Sequence, residues 1–226
     1  MDILSNLASK HNSDKIDHQY TQIYQNLFNS IRNDNFNLLE IGVLYGASLK
    51  MWHEYFPNAN IYGADNFFGY NGNGCSINNP LCFIDELINN NHIFNRINLN
   101  FIDQSDYNEL NEFANNINIK FKFILDDGSH LMKDQQITFF HLFDLIESGG
   151  YYIIENVQTC DHEGYDVLSD KSNSTKKFFE QLSNGEFNSL YINNMNDKCE
   201  IILSQIHKIE LIKSNNYSEV IIIYKK

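Results

Sequence analysis

The stretch FKFILDDGSHLMKDQ, residues 121–135, follows a run of apolar residues with groups that bind cations and move protons. Asp126 and Asp127 supply adjacent carboxylates, and His130 stands three positions after the second. Carboxylates are hard oxygen ligands that suit Mg²⁺ or Mn²⁺. An imidazole titrates near neutral pH and can act as a general base. Each group alone has a simpler interpretation, since aspartate is a common helix cap and most histidines are packed or solvated.

The elements that would position these groups follow from the spacing of apolar residues. Strands are predicted over 37–43, 59–67, 97–106, 119–127 and 150–158. Helices are predicted over 20–31, 46–56, 83–95, 107–117, 134–150 and 173–183. Two further β-rich segments, 204–214 and 218–226, lie close together and predict an antiparallel hairpin at one sheet edge. We therefore predict an α/β fold with a Rossmann-like, doubly wound, mainly parallel sheet of seven strands.

Polar side chains recur at one end of these predicted strands. The acidic residues at or just beyond the C-terminal ends are Glu40, Asp65, Asp103, Asp127 and Glu155. Open α/β sheets bind their ligands at that end. The convergence of five such positions indicates a functional site more strongly than any single motif.

The segment LLEIGVLYGAS, residues 38–48, places Glu40, Gly42 and Gly46 between a strand and a helix. Glycines allow close approach of a ligand, and a carboxylate at Asp65 can accept hydrogen bonds from ribose hydroxyls. The glycines could equally serve strand–helix packing. A dinucleotide site is disfavoured because the GxGxxG pattern is absent. The remaining interpretation is a site for S-adenosylmethionine.

Composition limits the other classes of function. The chain has 226 residues with 42% hydrophobic content and two prolines, which favours one domain over 1–226. A net charge of −13 argues against nucleic acid as a partner. The four cysteines have no CxxC spacing, so neither zinc nor a disulfide framework is indicated. No apolar run approaches the roughly 20 residues that span a bilayer. We expect a cytoplasmic protein that is not bound to a membrane.

The chain resembles the class I S-adenosylmethionine-dependent methyltransferases. More narrowly, it is similar to the metal-dependent sugar O-methyltransferases of macrolide antibiotic pathways and to cephalosporin-hydroxylase-like relatives. The resemblance covers roughly residues 7–160. It runs through LASKHNSDKIDHQYTQIY, LLEIGVLYGASLKMW, IYGADNF, FIDQSD, FILDDGSH and GGYYIIENVQT. The ordered set DQSD, DDGSH and IEN carries most of its specificity.

The resemblance implies S-adenosylmethionine as methyl donor and Mg²⁺ (or Mn²⁺) as metal. The implied cofactor contacts are Glu40, Gly42, Gly46, Asp65, Asp103, Gln104 and Asp126, of which Asp103 and Gln104 would flank the adenine. The implied metal ligands are Asp127, Glu155 and Asn156, with His130 as the base and Asp127 sharing the catalytic role. Most relatives have Glu-Asp where this chain has Glu155–Asn156. With one charge fewer, we expect weaker metal binding or a different acceptor geometry, rather than loss of the site.

These residues predict three regions. Residues 1–35 form a helical cap over the cofactor, 36–160 the cofactor and metal core, and 161–226 the acceptor side and terminal hairpin. We expect an O-methyltransferase acting on a sugar hydroxyl of a glycan or nucleotide-linked sugar, with a small-molecule or glycan acceptor as its partner. Two alternatives stay open: a phenolic, catechol-like acceptor, and a methyltransferase-fold protein that binds without catalysis. The sequence specifies neither the sugar nor whether the chain forms homo-oligomers.

Overall fold

The computed structural model describes residues 2–67, 89–90, 93–165, 173–192, 196–214 and 216–226. Within them the strands are β1 (Asn37–Ile41), β2 (Asn60–Asp65), β3 (Ile97–Phe101), β4 (Phe121–Asp126), β5 (Ile146–Ile154), β6 (Ile206–Lys213) and β7 (Glu219–Lys225). They form one seven-stranded sheet in the order β3-β2-β1-β4-β5-β7-β6. The predicted α/β fold is confirmed.

The first five strands are parallel, and of the last two only β7 runs against them. β1 pairs with β2 and β4, β2 with β3, and β4 with β5, all in parallel. β7 is antiparallel to both β5 and β6, so the predicted edge hairpin is also confirmed. Ile41 is in register with Asp126, and Asp126 with Ile154. The residues that follow these three strands therefore emerge side by side.

The helices pack on both faces of the sheet. They are α1 (Ile3–His11), α2 (Tyr20–Phe28), α3 (Ala47–Tyr55), α4 (Tyr107–Asn116), α5 (Met132–Leu142), α6 (Thr175–Ser183) and α7 (Asn196–Gln205). Capping residues mark several ends. Asp2 accepts a hydrogen bond from the Ser5 amide at the start of α1, and Asp106 accepts two at the start of α4.

Alternation along the strands divides the core in two. We call the side covered by α1, α2 and α3 the α2 face; its core includes Phe28, Trp52 and Phe123. We call the side covered by α4, α5 and α6 the α5 face; its core includes Phe139 and Tyr152. Both faces are closed by large buried aromatic side chains, which hold the strand ends rigidly in place.

Several element boundaries differ from the sequence prediction, most of all those around β5. The helix predicted over 134–150 ends at Leu142, and β5 starts at Ile146, because residues 146–154 pair with β4 and β7. A helix ending in a glycine pair was expected there, but Gly150 lies inside the strand, where a Cβ would meet the Lys122 carbonyl oxygen at 2.5 Å. Helix α7 was not predicted, because its residues lack a clear apolar stripe.

The helix predicted over 83–95 lies largely outside the described residues. Among the residues that are described, no helix is long and apolar enough to cross a membrane.

Candidate active site

The adjacent aspartates after β4 point to opposite faces of the sheet, as strand alternation requires. Asp126 faces the α5 side, where the Gln104 side chain donates from Nε2 to its Oδ1 at 2.7 Å. Asp127 faces the α2 side, where Lys15 donates from Nζ to its Oδ2 at 2.7 Å. The two carboxylates therefore belong to different environments, although they are neighbours in sequence.

Lys15 is the centre of a buried charged cluster that the sequence analysis did not single out. Its side chain is fully buried, and Nζ lies 2.7 Å from Asp127 and 3.0 Å from both Glu40 Oε1 and Glu155 Oε1. The ammonium thus joins the end of β1 to the loops that follow β4 and β5. A lysine in the polar segment NSDKID would ordinarily be solvated, so composition offers no signal for this contact.

Two tyrosines of α2 hold the loop after β5. The Tyr24 hydroxyl donates to Glu155 Oε1 at 2.7 Å. The Tyr20 hydroxyl donates to Asn156 Oδ1 at 2.8 Å and accepts from the Asn156 amide at 3.0 Å. Asn156 adopts a left-handed backbone with φ of 56°, which asparagine tolerates better than most residues. Helix α2 therefore fixes the positions of Glu155 and Asn156.

Burial opposes every charge in this cluster, and the ammonium decides which acid stays ionised. Burial raises the pKa of Glu155 well above its ordinary value, and the Asp127 charge adds to the effect. Burial also acts on Asp127, but Lys15 outweighs it and lowers the pKa of Asp127 below its ordinary value. Burial works against the Lys15 charge too, yet Asp127 and Glu155 raise the pKa of Lys15 well above its ordinary value. A charged Lys15–Asp127 pair follows, with Glu155 holding a proton more readily.

His130 stands at the open side of Asp127. Its Nε2 lies 3.9 Å from Asp127 Oδ1 and 3.4 Å from Asn156 Nδ2. The backbone has φ of 60°, and the Thr159 hydroxyl donates to the His130 carbonyl oxygen at 3.0 Å. Such a strained backbone is typical of functional sites. Burial lowers the pKa of His130, so the imidazole is neutral at pH 7 and able to accept a proton.

The glycine loop after β1 lies directly against the loop after β4. Gly42 has φ of 89°, and a Cβ there would lie only 2.1 Å from the Asp127 carbonyl oxygen. Packing against the β4 loop therefore requires glycine at position 42, whether or not a ligand binds there. Gly46, with φ of 68°, precedes α3. These glycines bring the β1 and β4 loops together at the strand ends.

Asp65 organises the same glycine loop. Its Oδ2 accepts from the amides of Val43 at 2.7 Å and Leu44 at 3.1 Å, and its Oδ1 accepts from Phe67 at 2.7 Å. Asp65 Oδ2 thus accepts two of these hydrogen bonds and Oδ1 accepts one. A ligand hydroxyl would therefore meet a carboxylate that the loop has already oriented.

Glu40, Asp103 and Gln104 occupy different positions around this edge. Glu40 is fully buried and accepts from Trp52 Nε1 at 3.1 Å, so it faces the α2 core. Asp103 Oδ1 accepts from the Ser105 amide and hydroxyl at the surface. The buried Gln104 side chain is turned inward, accepting from the Ser129 amide as well as donating to Asp126. Of Asp103 and Gln104, Asp103 is the one directed to solvent.

A divalent cation on the outer side of Asp127 would meet Asp127 Oδ1, because Glu155 is directed to Lys15 and Tyr24. Its Oδ1 makes long contacts to Asn156 at 3.5 Å and His130 at 3.9 Å, whereas Oδ2 accepts from Lys15 at 2.7 Å. Carboxylate and amide oxygens suit Mg²⁺, which usually keeps several waters. In this structure the Asn156 amide nitrogen, 3.5 Å away, faces Asp127. Among the described residues, no three His, Cys, Asp or Glu side chains are arranged to hold a metal ion.

The chain is similar in sequence to two curated sugar O-methyltransferases. It is 33% identical over 171 residues to 8-demethyl-8-(2-methoxy-alpha-L-rhamnosyl)-tetracenomycin-C 3'-O-methyltransferase of Streptomyces olivaceus, covering 72% of this chain and 38% of that one. It is 31% identical over 176 residues to mycinamicin VI 2''-O-methyltransferase of Micromonospora griseorubida, covering 74% and 39%. The chain therefore spans about two fifths of the length of these relatives. No protein-family model matches it.

The fold is similar to that of the MycE methyltransferase from the mycinamycin biosynthetic pathway, solved in complex with Mg and SAH. The two share a TM-score of 0.72 and 26% identity, over 99% of this chain and 53% of that one. The similarity thus extends over nearly all of the present chain.

Proposed function

The chain has the class I methyltransferase fold and is related to the antibiotic sugar O-methyltransferases, and from that premise we propose that it methylates a sugar hydroxyl using S-adenosylmethionine. The observation that carries the proposal is the placement of His130 beside Asp127, whose carbonyl oxygen lies against Gly42 of the glycine loop. This arrangement offers a proton acceptor close to a site for a methyl donor.

The cofactor is assigned to the edge where β1, β2 and β3 end. Asp65 would receive the ribose hydroxyls, and the Gly42–Gly46 loop would border the methionine part. Asp103 would lie at the adenine. Glu40, Gln104 and Asp126 support this edge through buried hydrogen bonds to Trp52, Ser129 and each other. Their contribution to cofactor binding is therefore to position the loops.

The reaction is an in-line displacement at the sulfonium methyl. When bound, S-adenosylmethionine would supply the methyl group: the sugar hydroxyl oxygen would bond to the methyl carbon as the carbon–sulfur bond breaks, with the electron pair staying on the sulfur of S-adenosylhomocysteine. The hydroxyl proton passes to His130 Nε2. Holding acceptor and donor in line lowers the activation barrier by at most about 7–11 kcal/mol. A general base adds about 10²–10⁴-fold.

Mg²⁺ or Mn²⁺ would be held by Asp127 and the side chain of Asn156, with Glu155 as the third proposed ligand. A bound cation makes a coordinated hydroxyl more acidic and fixes its direction of approach. In this structure Glu155 is directed to Lys15 and Tyr24, on the inner side of Asp127. We therefore expect weaker metal binding than a site with two outward carboxylates would show.

The first experiment is calorimetric titration with S-adenosylmethionine, with and without Mg²⁺, of the wild type and of Asp65→Ala and Asp127→Ala. Asp65→Ala should weaken cofactor binding, because it removes the oriented carboxylate. Asp127→Ala should keep cofactor affinity within about threefold and abolish Mg²⁺ binding. Absence of S-adenosylmethionine binding by the wild type would refute the proposal.

Turnover is then measured on rhamnosides, other deoxysugar glycosides, nucleotide sugars and a catechol. Sugar acceptors should be methylated, and His130→Ala should lose about 10²–10⁴-fold in kcat. Because burial lowers the pKa of His130, the acid limb of the rate profile should fall below about pH 6.5. Methylation of the catechol alone would establish the phenolic alternative. Cofactor binding without turnover on any acceptor would establish a non-catalytic role.

A further inference from the structure

The ammonium of Lys15 occupies the inner side of the proposed metal site. Its nitrogen contacts carboxylate oxygens of Glu40, Asp127 and Glu155 at 2.7–3.0 Å. We propose that Lys15 is the built-in cation of this site: it positions Asp127 and Glu155 and sets how weakly a divalent cation binds beside them. The relevance of this inference to methyl transfer rests on the proposed function.

The contacts of Lys15 determine which oxygens remain for another cation. Lys15 takes Asp127 Oδ2 at 2.7 Å and lies 3.0 Å from each oxygen of Glu155. Tyr24 also donates to Glu155 Oε1. By contrast, the contacts of Asp127 Oδ1 with Asn156 and His130 are long, at 3.5 and 3.9 Å. A divalent cation on the outer side therefore meets one carboxylate oxygen directly, while Glu155 serves the lysine.

The chain segment around Lys15 is held firmly enough to act as a fixed part of the site. Asp14–Ile16 forms a short 3-10 helix between α1 and α2. The Ser13 amide donates to the Ala8 carbonyl oxygen at 2.9 Å, and the His18 amide donates to that of Asp14 at 3.1 Å. Because α1 and α2 pack into the α2 face, the lysine cannot swing out to solvent without opening that core.

Charge explains why the ammonium would matter to a metal. Three carboxyl groups and one ammonium share the inner cluster, so Lys15 cancels part of the negative potential that attracts a cation. It also repels a divalent ion bound on the other side of Asp127. At an effective dielectric constant of about 20, such interactions across 4–5 Å easily reach a tenfold change in affinity.

Lys15 is thus a positioning residue that acts through Asp127. It lies behind the carboxylate, with no exposed surface for an acceptor to contact. In methyl transfer its role would be to hold Asp127 turned with Oδ1 toward His130. A merely structural lysine would change stability when replaced but would not tighten metal binding.

The test compares Lys15→Met with Lys10→Met. Lys10 comes from the same N-terminal segment, but its side chain is 59% exposed and pairs with Glu54 at the surface. Mn²⁺ alone is titrated into each protein, and free Mn²⁺ is followed by electron paramagnetic resonance. Lys15→Met should bind Mn²⁺ at least about tenfold more tightly than the wild type. Lys10→Met should match the wild type within about twofold.

Unchanged or weaker Mn²⁺ binding by a folded Lys15→Met would overturn the proposal. If this variant is unfolded without metal, circular dichroism is recorded as Mn²⁺ is added. Recovery of the native spectrum at millimolar Mn²⁺ would support the proposal, because a metal can replace the missing charge. No recovery would overturn it. Cofactor affinity of the wild type is measured separately, so failure of the proposed function does not obscure this result.

Discussion

Asp126 and Asp127 share a peptide bond, yet the two faces of the sheet treat them oppositely. On the α5 face, burial raises the pKa of Asp126 to about 7, although the Gln104 amide donates to it. On the α2 face, the Lys15 ammonium overcomes burial and lowers the pKa of Asp127. An amide dipole cannot compensate for lost water as a full charge does. Position in the sequence therefore says little about ionisation.

The same difference extends to the cores behind the two aspartates. On the α2 face, buried aromatic residues donate hydrogen bonds to carboxylates of the candidate site: Tyr24 to Glu155 and Trp52 to Glu40. On the α5 face, Tyr152 comes only within 3.5 Å of Asp126. The α2 core therefore both stabilises the fold and shapes the site, whereas the α5 core mainly stabilises the fold.

Truncating one buried phenylalanine on each face tests this division most strongly. The rings of Phe28 and Phe123 stack with centroids 4.3 Å apart, and those of Phe139 and Phe179 have centroids 4.9 Å apart. Phe28 and Phe139 are both fully buried. Phe28→Ala and Phe139→Ala should each lower the free energy of unfolding by about 3–5 kcal/mol, measured in urea. Only Phe28→Ala should also weaken S-adenosylmethionine binding, since Phe28 supports Tyr24 and Trp52. Equal effects on cofactor binding would remove the distinction between the cores.

Replacing each aspartate by asparagine should have opposite consequences. Asp127→Asn should destabilise the protein by about 3 kcal/mol at pH 7, because Lys15 loses its closest counter-charge. The pKa of Asp127 is lowered, so its contribution is present above its ordinary value of 3.8 and lost as pH falls below it. Urea denaturation at pH 7 and pH 3 measures both effects. A fully stable variant at pH 7 would mean that the pair contributes nothing.

Asp126→Asn should instead stabilise the protein at high pH. With a folded pKa of about 7, Asp126 keeps a proton that the unfolded chain releases near pH 3.8, so wild-type stability falls between these values. Asp126→Asn has no carboxyl group to titrate at this position, so its stability does not fall in this way over the same pH range. Its advantage over the wild type should grow by about 2–3 kcal/mol from pH 5 to pH 8. An advantage that does not change with pH would show that Asp126 is ionised throughout.

A third pair compares tyrosine hydroxyls. Tyr24→Phe removes a 2.7 Å hydrogen bond to Glu155 and should cost about 1.5–3 kcal/mol. Tyr152→Phe removes a contact of 3.5 Å to Asp126 and should cost less than about 1 kcal/mol. Thermal unfolding of both variants decides the point. If the order of the two costs is reversed, the α5 face carries the tighter polar network.

The smallest effect is expected at His141 on the α5 face. It is buried against the Tyr107 ring, and its ring nitrogens have no hydrogen-bond partner among the described residues. Burial lowers the pKa of His141 to about 4, so wild-type stability is lost as pH falls from 6.5 toward 4. His141→Phe should gain about 1 kcal/mol at pH 7, and more at pH 5. The exposed His162→Phe serves as control and should show no gain.

Much of the fold was predictable because apolar periodicity reports local structure. The parallel core, the terminal hairpin and the collection of Glu40, Asp65, Asp127 and Glu155 at one edge all follow from strand order. The start of β5 at Ile146 was not predictable, because pairing with β4 and β7 overrides a helical pattern there.

The buried cation could not be inferred from spacing. Lys15 is 112 residues from Asp127 and 140 from Glu155 in sequence. No periodicity joins residues so far apart, and a lysine in a polar segment resembles any surface lysine. The inward turn of Gln104 was hidden for the same reason, since its partners Asp126 and Ser129 come from another loop.

The contact between Gly42 and the Asp127 carbonyl oxygen has a consequence for redesign. Since not even one methyl group fits between these two loops, a substitution at Gly42 cannot change the spacing of the proposed donor and acceptor sites without displacing the β4 loop. A variant meant to accept a larger alcohol would have to be altered at the outer rim, beyond His130. Selection for new acceptors should therefore leave the two inner loops unchanged and accumulate substitutions in the surrounding chain.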